Sequence, residues 1–225
     1  MQSLLPHYTH IVNRRLKNTY LTFDDEGGLV IKSPEISQND IERLLIKKAA
    51  WIAKAQKQIK AKKGKLPGYE PEAQFYFIGI CFPLHFVVSD KTGMEMGTGA
   101  DHFIMYGKAF TDAMVRTQIE AFYRKEVASY MSHSVPAWAQ KMKVTYGNIK
   151  YRKAKRQWGS CSAKNDLSFN PMLMKLPPKV IEYVIVHELA HIRHKHHQKA
   201  FWDFVEAHMP NYREYEAILK TYTPS

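Results

Sequence analysis

The residues with the clearest chemical purpose in this sequence are His187, Glu188 and His191, set in Ile181-Glu-Tyr-Val-Ile-Val-His-Glu-Leu-Ala-His-Ile192. Two residues four apart on a helix share a face about one turn apart, so the two imidazoles can converge on one ion. Glu188 is turned about 100° from His187, which places it beside such an ion without making it a ligand. His-Glu-x-x-His on a helix is the spacing of two zinc ligands and a general base. The rest of the stretch explains why a metal is expected. Val180, Ile181, Val184, Ile185, Val186, Leu189, Ala190 and Ile192 leave no continuous wet face, so the helix is buried. A carboxylate and two imidazoles in such a helix are costly unless they are hydrogen-bonded, paired or bound to a cation.

A catalytic zinc needs a third protein ligand and one open position. Downstream the chain offers His194, His196 and His197. His194 would serve only if the helix continued with its ring turned inward, and a solvated turn suits it better. His197 follows the helix end, just before Phe201-Trp202 restarts an apolar turn, so a return loop can carry it over the ion. His197 is taken as the third ligand, with His196 as the alternative.

A second block precedes the helix: Arg156-Gln-Trp-Gly-Ser-Cys-Ser162, then Leu167-Ser-Phe-Asn170, Leu173, Pro177 and Tyr183-Val184. Together with His-Glu-Leu-Ala-His, a gap of five residues, His197 and Phe201-Trp202, it resembles the YgjP-like metallopeptidases, relatives of the SprT and WLM groups among the zincins. The resemblance covers about residues 109 to 222 firmly and the first hundred loosely. It departs from the family pattern at His196, where an Asn is usual. It implies an α+β, zincin-like C-terminal metallopeptidase domain, Zn2+ as cofactor and a peptide or protein substrate. Zincins hold substrate as an added strand along a sheet edge, and the hairpin through Trp158 to Asn170 is the candidate edge. Gly159 and Ser160 are its substrate-side residues, Gly159 because it lets another backbone come close. The side chains of Trp158 and Cys161 are expected in the core. Cys161 as a nucleophile with a histidine base is the weaker chemistry, since it would leave the buried His-Glu-x-x-His unexplained.

The elements that must position these groups can be read along the chain. Tyr8 to Lys17 and Asn18 to Ile31 are expected as paired strands, the second carrying strand propensity at Thr19 to Phe23, a turn at Asp24 to Gly28 and the strand resumed at Leu29 to Ile31. Ser37 and Asp40 resemble a capping box that opens a helix over about 37–63, with Leu44, Leu45, Lys48, Trp51, Ile52 and Ala55 as its inner stripe. Phe75 to Ile78, Ile80 to Val88 and His102 to Tyr106 read as further strands, with Gly79 a turn or bulge and Pro83 marking an edge. His85 and His102 are expected as surface or packed residues. From about Lys108 the period becomes helical as far as Met131, with a break at Val135-Pro136 and a second amphipathic stretch after it. Val144 to Arg156 reads as a strand. Pro177-Pro178 opens the His-Glu-x-x-His helix, and two short helices follow it. Residues 1–107 are therefore expected as a β-rich N-terminal module with one basic helix, and 108–225 as the metallopeptidase domain.

Composition limits the function classes. With 225 residues, 45% hydrophobic, 12% aromatic and 24% charged, the chain can bury a substantial core, which excludes general disorder. Residues 1–10 lack the layout of a signal peptide and no run is long enough to span a bilayer, so a cytoplasmic location is expected. Cys81 and Cys161 are accordingly expected reduced and buried. The formal net charge is +12, and Lys47, Lys48, Lys54, Lys57, Lys60, Lys62, Lys63 and Lys65 crowd one segment. A solvated helix face is the ordinary explanation, and non-specific contact with nucleic acid through Lys47–Lys65 is the functional alternative. Two functions thus stand side by side. One is a zinc peptidase in which Glu188 is the general base. The other is a DNA-associated protein, either a SprT-like protease acting on DNA-bound proteins or a non-catalytic zinc-binding adaptor.

Overall fold

A computed structural model describes residues 6–24 and 27–224. Residues 1–5, read above for a leader, lie outside the described residues, as do Asp25 and Glu26 of the expected turn and Ser225. The architecture is α+β, and no helix among the described residues is long and apolar enough to cross a membrane. The chain divides into two compact units, Met1–Lys62 and Lys63–Ser225. This division lies well before the expected boundary at 107/108. The reason is in the packing: Ala73, Phe75, Phe82, Leu84, Phe103 and Met105 share one apolar core with the helices that follow them.

The first unit contains β1 (Tyr8–Val12), β2 (Tyr20–Phe23), β3 (Leu29–Ser33) and α1 (Gln38–Lys60). β2 and β3 form the expected antiparallel hairpin, but β1 pairs parallel with β3 and not with β2. α1 starts where Ser37 caps it, the hydroxyl accepting from the Asp40 N–H. Its buried residues are Ile41, Leu45 and Ile52, which pack on Leu29 and Ile31. Trp51, expected on the inner stripe, is 48% exposed and lies against Phe23.

The second unit begins with a four-stranded sheet made by β4 (Gln74–Phe77), β5 (Ile80–Val88), β6 (Gly93–Met96) and β7 (Phe103–Gly107), in the order β4-β5-β7-β6. Ile78 and Gly79, both at positive φ, make the two-residue turn between β4 and β5. A side chain at Gly79 would strike Pro177, so this turn needs glycine for room as well as for conformation. β5 pairs with β4 over 80–83 and with β7 over 84–88. Pro83, read as an edge residue, sits where the strand changes partner, and its missing N–H interrupts neither ladder. Cys81 and Cys161 are free, but Cys81 is exposed and Cys161 half-buried, which corrects the expectation of a buried pair. Strand alternation puts Phe82 and Leu84 in the core and leaves Cys81 on the outer face. His85 and His102 stack on each other, with Asp101 holding the His102 ring, as expected of packed surface residues.

α2 (Asp112–Met142) is one continuous helix with Pro136 inside it, where the sequence suggested a break. Val127, Met131, Val135, Ala139 and Met142 continue one buried stripe past the proline, and this packing outweighs the roughly 3 kcal/mol that an interior proline costs. Of the long strand expected after it, only β8 (Ile149–Tyr151) forms. β9 (Gly159–Cys161) and β10 (Leu167–Phe169) complete a sheet of order β8-β10-β9. A 3-10 turn (Pro171–Lys175) then leads to α3 (Pro178–Arg193), α4 (Lys199–His208) and α5 (Tyr212–Leu219). Asn170 ties this region together. Its buried amide nitrogen lies within hydrogen-bonding distance of the Ala154, Gln157 and Pro224 carbonyls, while its oxygen accepts from the Met172 N–H.

Lys175 is 1% exposed, and burial followed by the nearby charge of Lys153 lowers its pKa from 10.5 to about 7. Because the folded value lies below the unfolded one, this residue favours folding most above pH 10.5, and that contribution is lost as pH falls toward 7. The unfolding free energy of the wild type should therefore rise from neutral to alkaline pH, by at most about 1.4 kcal/mol per pH unit from this group, and its melting temperature should rise with it. Lys175→Met should melt higher at neutral pH and show a flatter profile. Parallel profiles for the two proteins would refute this assignment.

Candidate metal centre

The three histidines come together because a buried helix and a short return loop face each other. α3 is held by Val180, Ile181, Val184, Ile185, Val186, Leu189 and Ala190, all nearly or fully excluded from solvent. His187 and His191 are one turn apart on it, with ring centroids separated by 5.0 Å. After α3 ends, the chain turns back through residues 194–198 and places His197 beside them, 5.0 Å from His187 and 4.6 Å from His191 between centroids. One ring nitrogen from each lies within 4.8 Å of the others. The Nε2 atoms of His187 and His197 are 3.0 Å apart.

The loop is held from several directions. Phe201, fully buried, contacts all three imidazoles, and the Trp202 indole stacks on His197. The Arg193 guanidinium donates to the carbonyl of Lys143, the left-handed residue that ends α2. Lys195 donates to Asn165 Oδ1 at 2.6 Å and to the Ser162 carbonyl at 3.1 Å, joining the loop that carries His197 to the β9–β10 turn. The sequence reading missed both tethers. An asparagine in the Ala163-Lys-Asn-Asp166 turn, a residue type that tolerates the left-handed backbone Asn165 adopts (φ 63°), was the available signal for the second. His194 packs its ring on Phe204 and His196 is exposed, and neither belongs to the histidine cluster.

The protonation pattern suits a metal. Burial first, and the neighbouring His191 and His197 second, lower the His187 pKa to about 3, and burial also lowers His191. Both are therefore neutral at pH 7, the form that offers a lone pair. His191 Nδ1–H donates to the His194 carbonyl at 3.1 Å, which leaves Nε2 as its free acceptor. His187 Nδ1 is buried without a hydrogen-bond partner among the described residues. With metal–nitrogen bonds of 2.0–2.1 Å, tetrahedral ligands stand about 3.3 Å apart, close to the separation seen between His187 and His197. The donor set therefore fits a zinc ion.

Glu188 is 6% exposed, and burial raises its pKa to about 8. It faces β9. A Cβ built on Gly159 would lie 2.7 Å from Glu188 Cγ and 2.8 Å from Oε1, so only glycine fits there. β9 is an edge strand, and its register decides which peptide groups it offers. The Asn170 N–H donates to the Trp158 carbonyl and the Ser162 N–H to the Asp166 carbonyl, so Ser160, which faces Ser168 between these pairs, also spends its backbone on β10. The N–H and C=O groups of Gly159 and Cys161 point to the open edge. Ser160 instead borders a small polar hollow with Arg152, Gln157 and Asn170. The half-buried Cys161 thiol has its pKa raised, chiefly by burial and against the opposing pull of Lys195, which is the wrong direction for a nucleophile. Asp203 pairs with Lys199, and the Tyr212 hydroxyl accepts from Arg213.

No curated protein matches this chain. Two solved structures are similar to part of it. They are the metallopeptidase zymogens abylysin of Pyrococcus abyssi (22% identity, TM-score 0.38) and jannalysin of Methanocaldococcus jannaschii (20%, TM-score 0.36). Each match covers 40% of this chain and 92% of the other. The model of the family described as YgjP-like, metallopeptidase domain, matches residues 17–222, and the chain belongs to that family.

Proposed function

We propose that the protein is a zinc-dependent peptidase in which His187, His191 and His197 hold the ion and Glu188 is the general base. The observation that carries this reading is the meeting of three imidazoles, one ring nitrogen of each within 4.8 Å of the others, one helical position from a buried carboxyl. Bound zinc supplies Lewis acidity, polarising the scissile carbonyl and making water a nucleophile near neutral pH. The chain's own residues do the rest. Glu188, ionised beside a cation, takes the proton of the attacking water on its carboxylate and passes it to the leaving amine. Gly159 keeps that carboxylate in place by leaving it room. The outward backbone groups of Gly159 and Cys161 pair with an extended peptide substrate along the edge of β9, while Ser160, the other residue expected there, supports the strand from within.

Zinc content measured together with hydrolysis of an unfolded protein substrate, in wild type and Glu188→Gln, tests the reading. A non-catalytic zinc-binding adaptor would lose nothing in that variant. The glycine offers a separate check. Gly159→Ala must push Glu188 aside, and a shift of about 1 Å in a catalytic group can cost about 10²-fold in rate. Its kcat should fall by that order while zinc stoichiometry stays at the wild-type value. An unchanged kcat would mean that the Glu188 carboxylate is not at work there.

A further inference from the structure

The sequence left one feature that peptide hydrolysis does not use, the lysine-rich segment. From Arg43 to Lys65 there is no Asp or Glu. Within α1 the basic residues are Arg43, Lys47, Lys48, Lys54, Lys57 and Lys60, all exposed, and none is in an ion pair among the described residues. At 100° per residue, Arg43, Lys47, Lys54 and Lys57 fall within an arc of about 80°. That arc is centred opposite the buried Ile41, Leu45 and Ile52. The four cations thus form a straight outward ridge about 21 Å long, at 1.5 Å of rise per residue. A folded helix gains nothing from concentrating like charge in this way, since the repulsion along the ridge opposes it.

We infer that this ridge of α1 is a docking surface for double-helical nucleic acid, bound through its phosphates and without reading sequence. Charge complementarity selects the class, because a duplex presents about one negative charge per 1.7 Å of its axis. Two features of the unit choose among polyanions. A helix that binds a membrane surface lays its apolar face into the lipid, but the apolar face of α1 is consumed by the core with Leu29 and Ile31. A single strand would use a succession of aromatic platforms for its bases, and α1 offers one aromatic residue, the half-exposed Trp51 against Phe23, which makes no such row beside the ridge.

The test is fluorescence anisotropy of a labelled DNA duplex of about two helical turns, titrated with full-length protein over a range of salt. Wild type should bind with a log–log salt slope of about −3 to −4, the value for four phosphate contacts. A variant with Gln at Arg43, Lys47, Lys54 and Lys57 should lose more than about tenfold in affinity and most of that slope. A control variant with Gln at the exposed Lys125, Lys150, Lys155 and Lys164 should behave like wild type. Equal losses in the two variants would overturn the inference. So would ridge-dependent binding that is tighter to vesicles of phosphatidylserine and phosphatidylcholine, or to polyglutamate, than to the duplex. The positions replaced are solvent-facing, and the melting curve and zinc content of the ridge variant, expected unchanged, show that it is folded. The inference stands apart from the peptidase reading, because duplex binding is measured without any turnover.

Discussion

Glu188→Gln is expected to take up zinc as the wild type does and to hydrolyse peptide about 10²- to 10⁴-fold more slowly, the contribution of a positioned general base. The substitution keeps the shape of the side chain and removes only its capacity to accept and return a proton. The site tolerates that change. Glu188 is almost fully buried and burial raises its pKa to about 8, so in the metal-free protein it is largely neutral at pH 7 and an amide is electrically similar. Linkage gives this a sign. Because the folded-state value lies above the unfolded 4.5, the metal-free wild type has its full stabilisation from this group below pH 4.5 and loses it as pH rises through about 8. The metal-free Gln variant should show no such loss, and its unfolding compared with that of wild type across this window measures it. Full turnover by Glu188→Gln would remove the base from the mechanism, and a loss of zinc together with activity would make Glu188 part of the metal-holding structure instead.

The second large effect separates two adjacent histidines. His197→Ala should lower zinc affinity by more than about 100-fold, beyond the 10- to 100-fold typical of residues that only support a ligand, and should abolish hydrolysis. His196→Ala should leave both unchanged, because its ring is exposed and outside the cluster. The measurement is zinc affinity by competition with a chromogenic chelator, alongside turnover. The reverse result would exchange the roles of the pair, and equal small losses in both would mean that the site is not a three-histidine centre. The Lys195 bonds to the β9–β10 turn are unaffected by either change, so an effect on the whole loop is not expected from His196.

Much of the candidate site was legible because it is local. His187, Glu188 and His191 lie within five residues of one helix, and helical geometry alone sets how they face each other. The apolar residues around them showed that the helix is buried, and the cap at Ser37 marked the start of α1 to the residue. The failures lie where distant packing decides. Pro136 is a helix breaker by its own chemistry, yet Val135, Ala139 and Met142 carry the buried stripe of α2 through it. Strand propensity over 144–156 was real in the residues but found a partner only at Ile149–Tyr151, where β10 lies alongside. The division at Lys62 was hidden for a similar reason, since nothing in the strands over 74–107 says which helix their inner faces will cover.

The sequence by itself determined the pairing of His187 with His191 on one helix face, the carboxyl beside them and the family to which the chain belongs, because those depend on spacing along one helix and on short motifs. Only the tertiary structure decided that His197 and not His196 meets the pair, that Gly159 gives Glu188 its space, and that Gly159 and Cys161 present the open edge of β9. Each of these depends on where a loop, a helix and a strand distant in sequence are brought together, and that placement follows from the burial of side chains such as Phe201 and Phe169, which no local pattern encodes.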